Sequence, residues 1–211
     1  TQLGLLYFFG QGVAIDYSKA EPLFSAAAKQ GVRIAQNNLG LMYEYSWGVK
    51  QDYKRALQFY TLAAAQNQVE SQVRLGVMYE YGKGTKVDLV EAIKWYRLAA
   101  KQGDFRAQYR LGRLLVNQNE SEAALDEAIK WLTEAALIGS RRAQYALAKA
   151  FEQRSDYVNA YKWLSISAHV TGARELKDMR DRAAILLTPE QQSVVAKAIA
   201  LCIGSHYKTC N

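Results

Sequence analysis

The stretch that decides the fold is residues 71–106, which read SQVRLGVMYEYGKGTKVDLVEAIKWYRLAAKQGDFR. Apolar residues in its first third recur at helical spacing, which predicts an amphipathic helix over residues 71–81. Two glycines within residues 82–85 then break this helix, because glycine readily adopts positive φ angles. The stretch therefore begins as one helix followed by a tight turn.

A second helix is predicted after the turn. Asp88 offers a side-chain oxygen to unpaired backbone N–H groups, so it is expected to be the N-cap. Glu91 would complete a capping box, and Gly103 would end the helix. The predicted apolar face of this helix consists of Ala92, Ile93, Trp95, Tyr96, Ala99 and Ala100. The whole stretch thus predicts a pair of helices.

The same pattern recurs along the chain at a step of 36 residues. Its anchors are Leu-Gly pairs, whose glycines are Gly4, Gly40, Gly76 and Gly112. The predicted caps recur in the same register at Asp16, Asp52 and Asp88. Glycine lets the two helices approach closely, and a large side chain there would cost on the order of 1–3 kcal/mol in overpacking. One helix pair cannot cover both of its faces, so the pairs must stack.

These residues resemble the Sel1-like repeat, a relative of the tetratricopeptide repeat. The matching residues of one copy are Ala35, Gln36, Leu39, Gly40, Tyr43, Gly48, Val49, Asp52, Ala56, Ala63 and Ala64. The resemblance implies an all-α fold, a right-handed α-solenoid of about five helix-pair repeats with C-terminal capping helices.

The repeat array is expected to cover residues 1–172. Its repeats are about 1–34 (partial), 35–70, 71–106, 107–142 and 143–172. The period stops after that point, so residues 173–211 are predicted to form capping helices and a tail. Thr188 is the expected N-cap of the last helix, with Pro189 at its first position and Gln191 at its third.

The motifs favour binding over catalysis. The chain has only two histidines, neither in a metal-ligand spacing, and no Gly-x-Ser-x-Gly elbow. The turn at residues 82–85 lacks the frame of a phosphate-binding loop and follows a helix instead of a strand. We therefore predict no catalytic residue, no metal and no cofactor. An envelope enzyme or a binder of cell-wall fragments is an open alternative, because carboxylates can pair in space.

The charge leaves a third hypothesis open. The net charge is +7, which is compatible with nucleic-acid binding through a basic surface. No run of basic residues exceeds two, so a solvated surface is the simpler interpretation. No stretch approaches the roughly 20 apolar residues of a membrane span, and no signal peptide is present. The chain opens inside a predicted helix, so we expect sequence upstream of Thr1.

The two cysteines lie close together at the C-terminus. We predict that Cys202 and Cys210 form a disulfide that pins the tail to the last helix. A disulfide would indicate an oxidising compartment, so the predicted location is periplasmic or secreted. Two reduced thiols in a cytoplasmic protein are the alternative.

The tetratricopeptide arrangement implies a concave groove lined by the first helix of each repeat. Its N-terminal half would be apolar and, through Glu44 and Glu80, mildly acidic. The residues expected there are Asn37, Leu41, Tyr45, Val77 and Tyr81. The C-terminal half would be basic and rich in tyrosine, with Arg106, Tyr109, Arg113, Arg142, Tyr145 and Lys149. Arginine and tyrosine commonly form binding hot spots.

The resemblance implies a bacterial adaptor or scaffold without enzymatic activity. Proteins with Sel1-like repeats generally act in multiprotein assemblies. We therefore expect a protein or peptide partner in the concave groove. The basic half of the groove would suit a peptide carboxylate or acidic side chains.

Overall fold

The computed structural model describes residues 1–118 and 120–210, except for the side chains of residues 170 and 171. Those residues form twelve α-helices and no strand, which confirms the predicted all-α fold. The first six are α1 (Gln2–Phe9), α2 (Tyr17–Lys29), α3 (Arg33–Tyr45), α4 (Tyr53–Ala65), α5 (Val69–Tyr81) and α6 (Leu89–Lys101). The others are α7 (Phe105–Gln118), α8 (Glu122–Leu137), α9 (Arg141–Gln153), α10 (Tyr157–Thr171), α11 (Arg174–Ala184) and α12 (Pro189–Gly204).

The helices belong to two compact units. The N-terminal unit is Thr1–Gln102 and contains α1 to α6, while the C-terminal unit begins at Gly103 and contains α7 to α12. Within each unit the repeat helices pack against their neighbours in the chain, as helix pairs of an α-solenoid do. In the C-terminal unit α7 also contacts α9, and both α11 and α12 pack on α10.

Side-chain caps start the second helix of each repeat. The carboxylates of Asp16, Asp52 and Asp88 each accept the backbone N–H three residues on, at 3.0 Å. The fourth repeat has no aspartate at this position, and the Ser121 hydroxyl accepts the corresponding bond at 3.2 Å. Asp156 takes the same role in the fifth repeat at 3.1 Å. Each of these N-caps is a short polar side chain, because such a side chain can accept a bond from a backbone N–H that the helix leaves unpaired.

The two predicted capping boxes differ in outcome. The box at Glu91 is wrong, since this carboxylate pairs with Lys94 on the same helix, with 2.9 Å between Oε1 and Nζ. A nearby cation is a strong hydrogen-bond partner for such a carboxylate. The box at α12 is confirmed: Thr188 and Gln191 exchange bonds of 2.9 and 3.2 Å, and Pro189 is the first helical residue.

Each of the first four repeat glycines faces a large buried side chain of the following helix. A Cβ atom added to any of them would lie 2.3–2.9 Å from that side chain, closer than real Cβ contacts. The pairs are Gly4 with Phe24, Gly40 with Tyr60, Gly76 with Tyr96 and Gly112 with Leu132. The helices of a pair therefore lie closer than any side chain at this position would permit.

The C-terminus is crosslinked to its last helix. Cys202 and Cys210 form a disulfide, as predicted, and both cysteines are buried in the core that α8, α9 and α10 share. None of the helices in the described part of the chain is long and apolar enough to cross a membrane.

Candidate binding cleft

Two residues predicted for the N-terminal half of the groove make contacts within their own unit. Asn37 is 6% exposed, and its side-chain oxygen accepts a 2.8 Å bond from the Ser71 hydroxyl. Leu41 is half-buried and packs against the cores of the N-terminal unit. Asn37 is thus an internal residue, whereas Leu41 keeps part of its surface exposed.

The predicted acidic character of this half is also wrong. The Glu44 side chain is only 3% exposed, its Oε2 accepts a 2.8 Å bond from the Tyr60 hydroxyl, and Arg74 lies 3.6 Å away. Glu80 is similarly buried and accepts a 2.7 Å bond from the Tyr96 hydroxyl. Both carboxylates are therefore internal acceptors, since a buried charge needs such partners.

The titration of Tyr60 supports this role. Burial raises the pKa of Tyr60 far above its ordinary value, and the adjacent Glu44 carboxylate raises it further. The phenol therefore stays protonated and acts as a donor at neutral pH.

Tyr45 and Tyr81 remain exposed in the N-terminal unit, at 43% and 55%. The Tyr45 ring stacks on Trp47 with 5.1 Å between centroids, and its hydroxyl accepts a bond from Arg74. Val77 is half-buried. Tyr45 lies on α3, and Val77 and Tyr81 lie on α5, the first helices of their repeats.

The C-terminal unit contains a cleft between α7 and α9 with a volume of about 210 Å³. Five of the six residues predicted for the basic half of the groove line it. These are Tyr109, Arg113, Arg142, Tyr145 and Lys149. The 36-residue register explains this meeting, because Tyr109 and Tyr145 hold the same position in consecutive repeats.

The sixth predicted residue, Arg106, does not line the cleft. Its guanidinium pairs with Asp104, with 2.7 Å between Nη2 and Oδ2. Asp104 also accepts the Ala107 backbone N–H at 3.0 Å at the start of α7. Arg106 is thus held at the helix start by a carboxylate two residues before it.

The cleft combines cationic groups with an apolar wall. Arg142 and Lys149 are exposed, whereas Arg113 is half-buried. The Lys149 ammonium lies 5.1 Å from the centroid of the Tyr145 ring, in a cation–π contact. Val116 supplies apolar surface at the same place. This arrangement suits a ligand with negative charge next to an aliphatic group.

Glu152 is a carboxylate that interacts with Lys149 without lining the cleft. Burial raises the pKa of Glu152, and the charges of Lys149 and Arg182 oppose that rise. Glu152 is thus partly withdrawn from water, and the neighbouring cations favour its charged form.

The lining residue Ala146 lies outside the predicted groove positions. The equivalent positions of the two preceding repeats carry Arg74 and Arg110, so alanine at this point removes a long side chain. This change from arginine to alanine is visible when the repeats of the sequence are aligned at their 36-residue step. A small residue where other repeats carry a large one indicates open space beside it.

The described residues include no group of three or more His, Cys, Asp or Glu side chains that could hold a metal ion. The cleft lining of two tyrosines, three cations, an asparagine and two apolar residues supplies side chains suited to binding.

Comparison with known proteins identifies the family. The Sel1 repeat model matches residues 1–32, 33–68, 69–104, 105–140 and 141–169. The chain belongs to the Sel1 repeat family. A search of curated proteins finds no significant match. Members of the Sel1 repeat family generally act as protein-interaction scaffolds and are typically not enzymes.

Solved Sel1 repeat structures support the fold. A Sel1 repeat protein from Oxalobacter formigenes is 32% identical, with a TM-score of 0.70 over 80% of this chain and 71% of that one. A protective antigen present in uropathogenic Escherichia coli strains, which displays the same fold, is 27% identical with a TM-score of 0.64. That comparison covers 98% of this Sel1 repeat chain and 52% of the antigen, so the chain spans about half of the antigen's length.

Proposed function

We propose that this Sel1 repeat protein is a non-enzymatic adaptor that binds an anionic segment of a partner protein in the cleft between α7 and α9. The composition of the cleft supports this proposal. The residues described there contribute three cations, two tyrosines and no carboxylate. A cluster of one sign of charge raises the local concentration of an opposite ligand and orients it.

The size of the cleft favours a side chain of a larger partner over a free small molecule. Its volume of about 210 Å³ lies below the roughly 300–1,000 Å³ of typical small-molecule sites. An aspartate, a glutamate or a terminal carboxylate would reach the exposed Arg142, which can bind a carboxylate with two hydrogen bonds. An adjacent aliphatic side chain would contact Val116 and Ala146.

The disulfide supports a location outside the reducing cytoplasm. Disulfides persist in the periplasm and in secreted proteins, and they are rare where thiols are kept reduced. We therefore place the adaptor in the periplasm or outside the cell, where a buried disulfide such as Cys202–Cys210 is stable.

Fluorescence anisotropy with a labelled peptide of alternating glutamate and valine tests the proposal. The structure offers a matched pair of variants on consecutive residues: Arg142 lines the cleft, whereas Arg141 is exposed and does not. Arg142→Glu is expected to weaken peptide binding on the order of tenfold, and Arg141→Glu much less, because close charge pairs contribute more than distant ones. A glutamine-for-glutamate peptide should bind weakly to every form.

Equal losses of peptide affinity in the two variants would contradict binding in the cleft, because they would indicate only a general effect of charge. Binding of the glutamine peptide as tightly as the glutamate peptide would contradict the anionic partner. The nucleic-acid alternative is tested by repeating the measurement with a labelled oligonucleotide of the same charge as the peptide. If it binds more tightly than the peptide, and Arg142→Glu weakens both alike, the proposed protein partner is wrong.

A further inference from the structure

Three helices of the chain share a Lys-Trp pair that follows the repeat alanine. The pairs are Lys94 with Trp95 on α6, Lys130 with Trp131 on α8 and Lys162 with Trp163 on α10. In each pair the ammonium lies near the adjacent ring, at 5.5, 5.0 and 5.7 Å from its centroid. The local geometry is therefore the same in all three.

Burial separates the third pair from the first two. Lys94 and Lys130 are exposed, whereas Lys162 is only 9% exposed. Lysine is rarely buried without a partner, because its charge loses hydration. The partner of Lys162 is the backbone carbonyl of Cys210, to which its ammonium donates a hydrogen bond. Burial also lowers the pKa of Lys162.

The C-terminal tail is what covers this lysine. Residues 205–210 fold back after α12, and the Tyr207 ring lies against Gly139, 3.4 Å from where a Cβ atom of that glycine would be. The Thr209 hydroxyl donates to the Leu201 carbonyl at 3.2 Å. The tail thus covers Lys162 on α10. The corresponding lysines of α6 and α8 are exposed.

The backbone of the tail depends on an external constraint. His206 and Tyr207 both have left-handed backbones, with φ of 51° and 70°. Two consecutive non-glycine residues in this region are unfavourable and persist only where the surroundings hold them. The Cys202–Cys210 disulfide closes the segment over a separation of 8 residues and supplies that constraint.

We propose that the Cys202–Cys210 tail is a reducible cover over Lys162. With the disulfide closed, the tail seals the lysine. With the disulfide open, the tail leaves its left-handed conformation, and Lys162 becomes exposed beside Trp163, as Lys94 and Lys130 are beside their tryptophans. Lys162 thereby becomes a redox-gated site for lysine-directed ligands and acylating reagents.

The opening step is a thiol–disulfide exchange with a dithiol. One thiolate of the reductant attacks a sulfur of the disulfide, and its second thiol then displaces the protein thiol. Cys202 and Cys210 gain two electrons and two protons, and the dithiol closes to its own cyclic disulfide. Both cysteines are buried, at 0% and 1% exposure, so the exchange proceeds through transient opening of the tail.

Limited acetylation with an N-hydroxysuccinimide ester, followed by peptide mass spectrometry, tests the cover. Lys130 is the internal control, because it has the same tryptophan neighbour and no tail over it. In the oxidised protein Lys162 is expected to react at least about tenfold more slowly than Lys130, since the reagent must wait for local opening. After dithiothreitol, and in Cys202→Ser/Cys210→Ser, the two rates should converge.

Similar rates for Lys162 and Lys130 in the oxidised protein would overturn the cover. If Lys162 still reacts slowly with the ester after dithiothreitol, and alkylation shows that both thiols are free, the cover is also overturned. The dithiothreitol arm uses the wild-type chain, so it remains informative if the serine variant fails to fold. Loss of helical circular dichroism on reduction would overturn the proposal as well, because a cover must open while the repeats stay folded.

Discussion

The two compact units use the same repeat register in opposite ways. In the N-terminal unit, Glu80 and Tyr96 form a buried hydrogen bond of 2.7 Å between the two helices of a repeat. One period later, in the C-terminal unit, the same positions carry Val116 and Leu132, which contribute only apolar contacts. The first unit therefore has a buried polar pair at positions that are apolar in the second, and the second unit has cations and tyrosines on a cleft surface.

This contrast separates two roles that a repeat position can have. The equivalent of Tyr109 in the second repeat is Asn37, which the Ser71 hydroxyl holds in the interior. Tyr109 itself is only half-buried and lines the cleft. The register fixes which direction a side chain faces, and the size and polarity of its neighbours decide whether it is covered.

The largest effect is expected where helices approach most closely. Gly76→Leu should lower the free energy of unfolding by roughly 3 kcal/mol or more, because a Cβ atom there would already lie 2.3 Å from the fully buried Tyr96 ring. Urea denaturation followed by circular dichroism measures this change. Gly204→Leu is the control, since nothing lies within 4 Å of a Cβ atom at that position. Equal midpoints for the two variants would show that close approach is not required.

A smaller effect is expected at the buried carboxylate of the N-terminal unit. Tyr60→Phe removes the 2.8 Å bond to Glu44 and should cost about 1–3 kcal/mol, the penalty for leaving a buried acceptor short of a partner. Thermal denaturation at neutral pH is a suitable measurement.

Tyr43→Phe is the matched control for this substitution. It removes a 3.0 Å bond to the exposed Arg55, so its transition should coincide with that of the wild type. If both tyrosine variants melted with the wild type, the hydrogen bond to Glu44 would not be a stabilising feature of the unit.

Much of the fold is predictable from the sequence because the repeat signal is redundant. Each glycine anchor, each aspartate cap and each turn recurs at the same step, so one misinterpreted residue does not change the result. The box at Glu91 shows the limit of such local rules. A capping glutamate and a salt-bridging glutamate look alike in sequence, and Lys94 decides between them.

The site was less predictable, for a physical reason. Spacing places Asn37, Glu44 and Arg142 on the first helices of their repeats, but spacing carries no information about burial. Glu44 is internal because Tyr60 and Arg74 reach it from other helices. Arg142 is exposed and lines the cleft beside Ala146. Such contacts depend on pairs of residues that are distant in sequence.

Chemical-shift mapping tests the central claim most directly, that the partner is held by the C-terminal unit. The labelled protein is titrated with the peptide of alternating glutamate and valine, and backbone amide shifts are recorded. Our account predicts the largest changes on α7 and α9, around Tyr109 and Tyr145, with little change near Tyr45 and Tyr81. Changes concentrated near Tyr45 and Tyr81, with α7 and α9 unaffected, would contradict it.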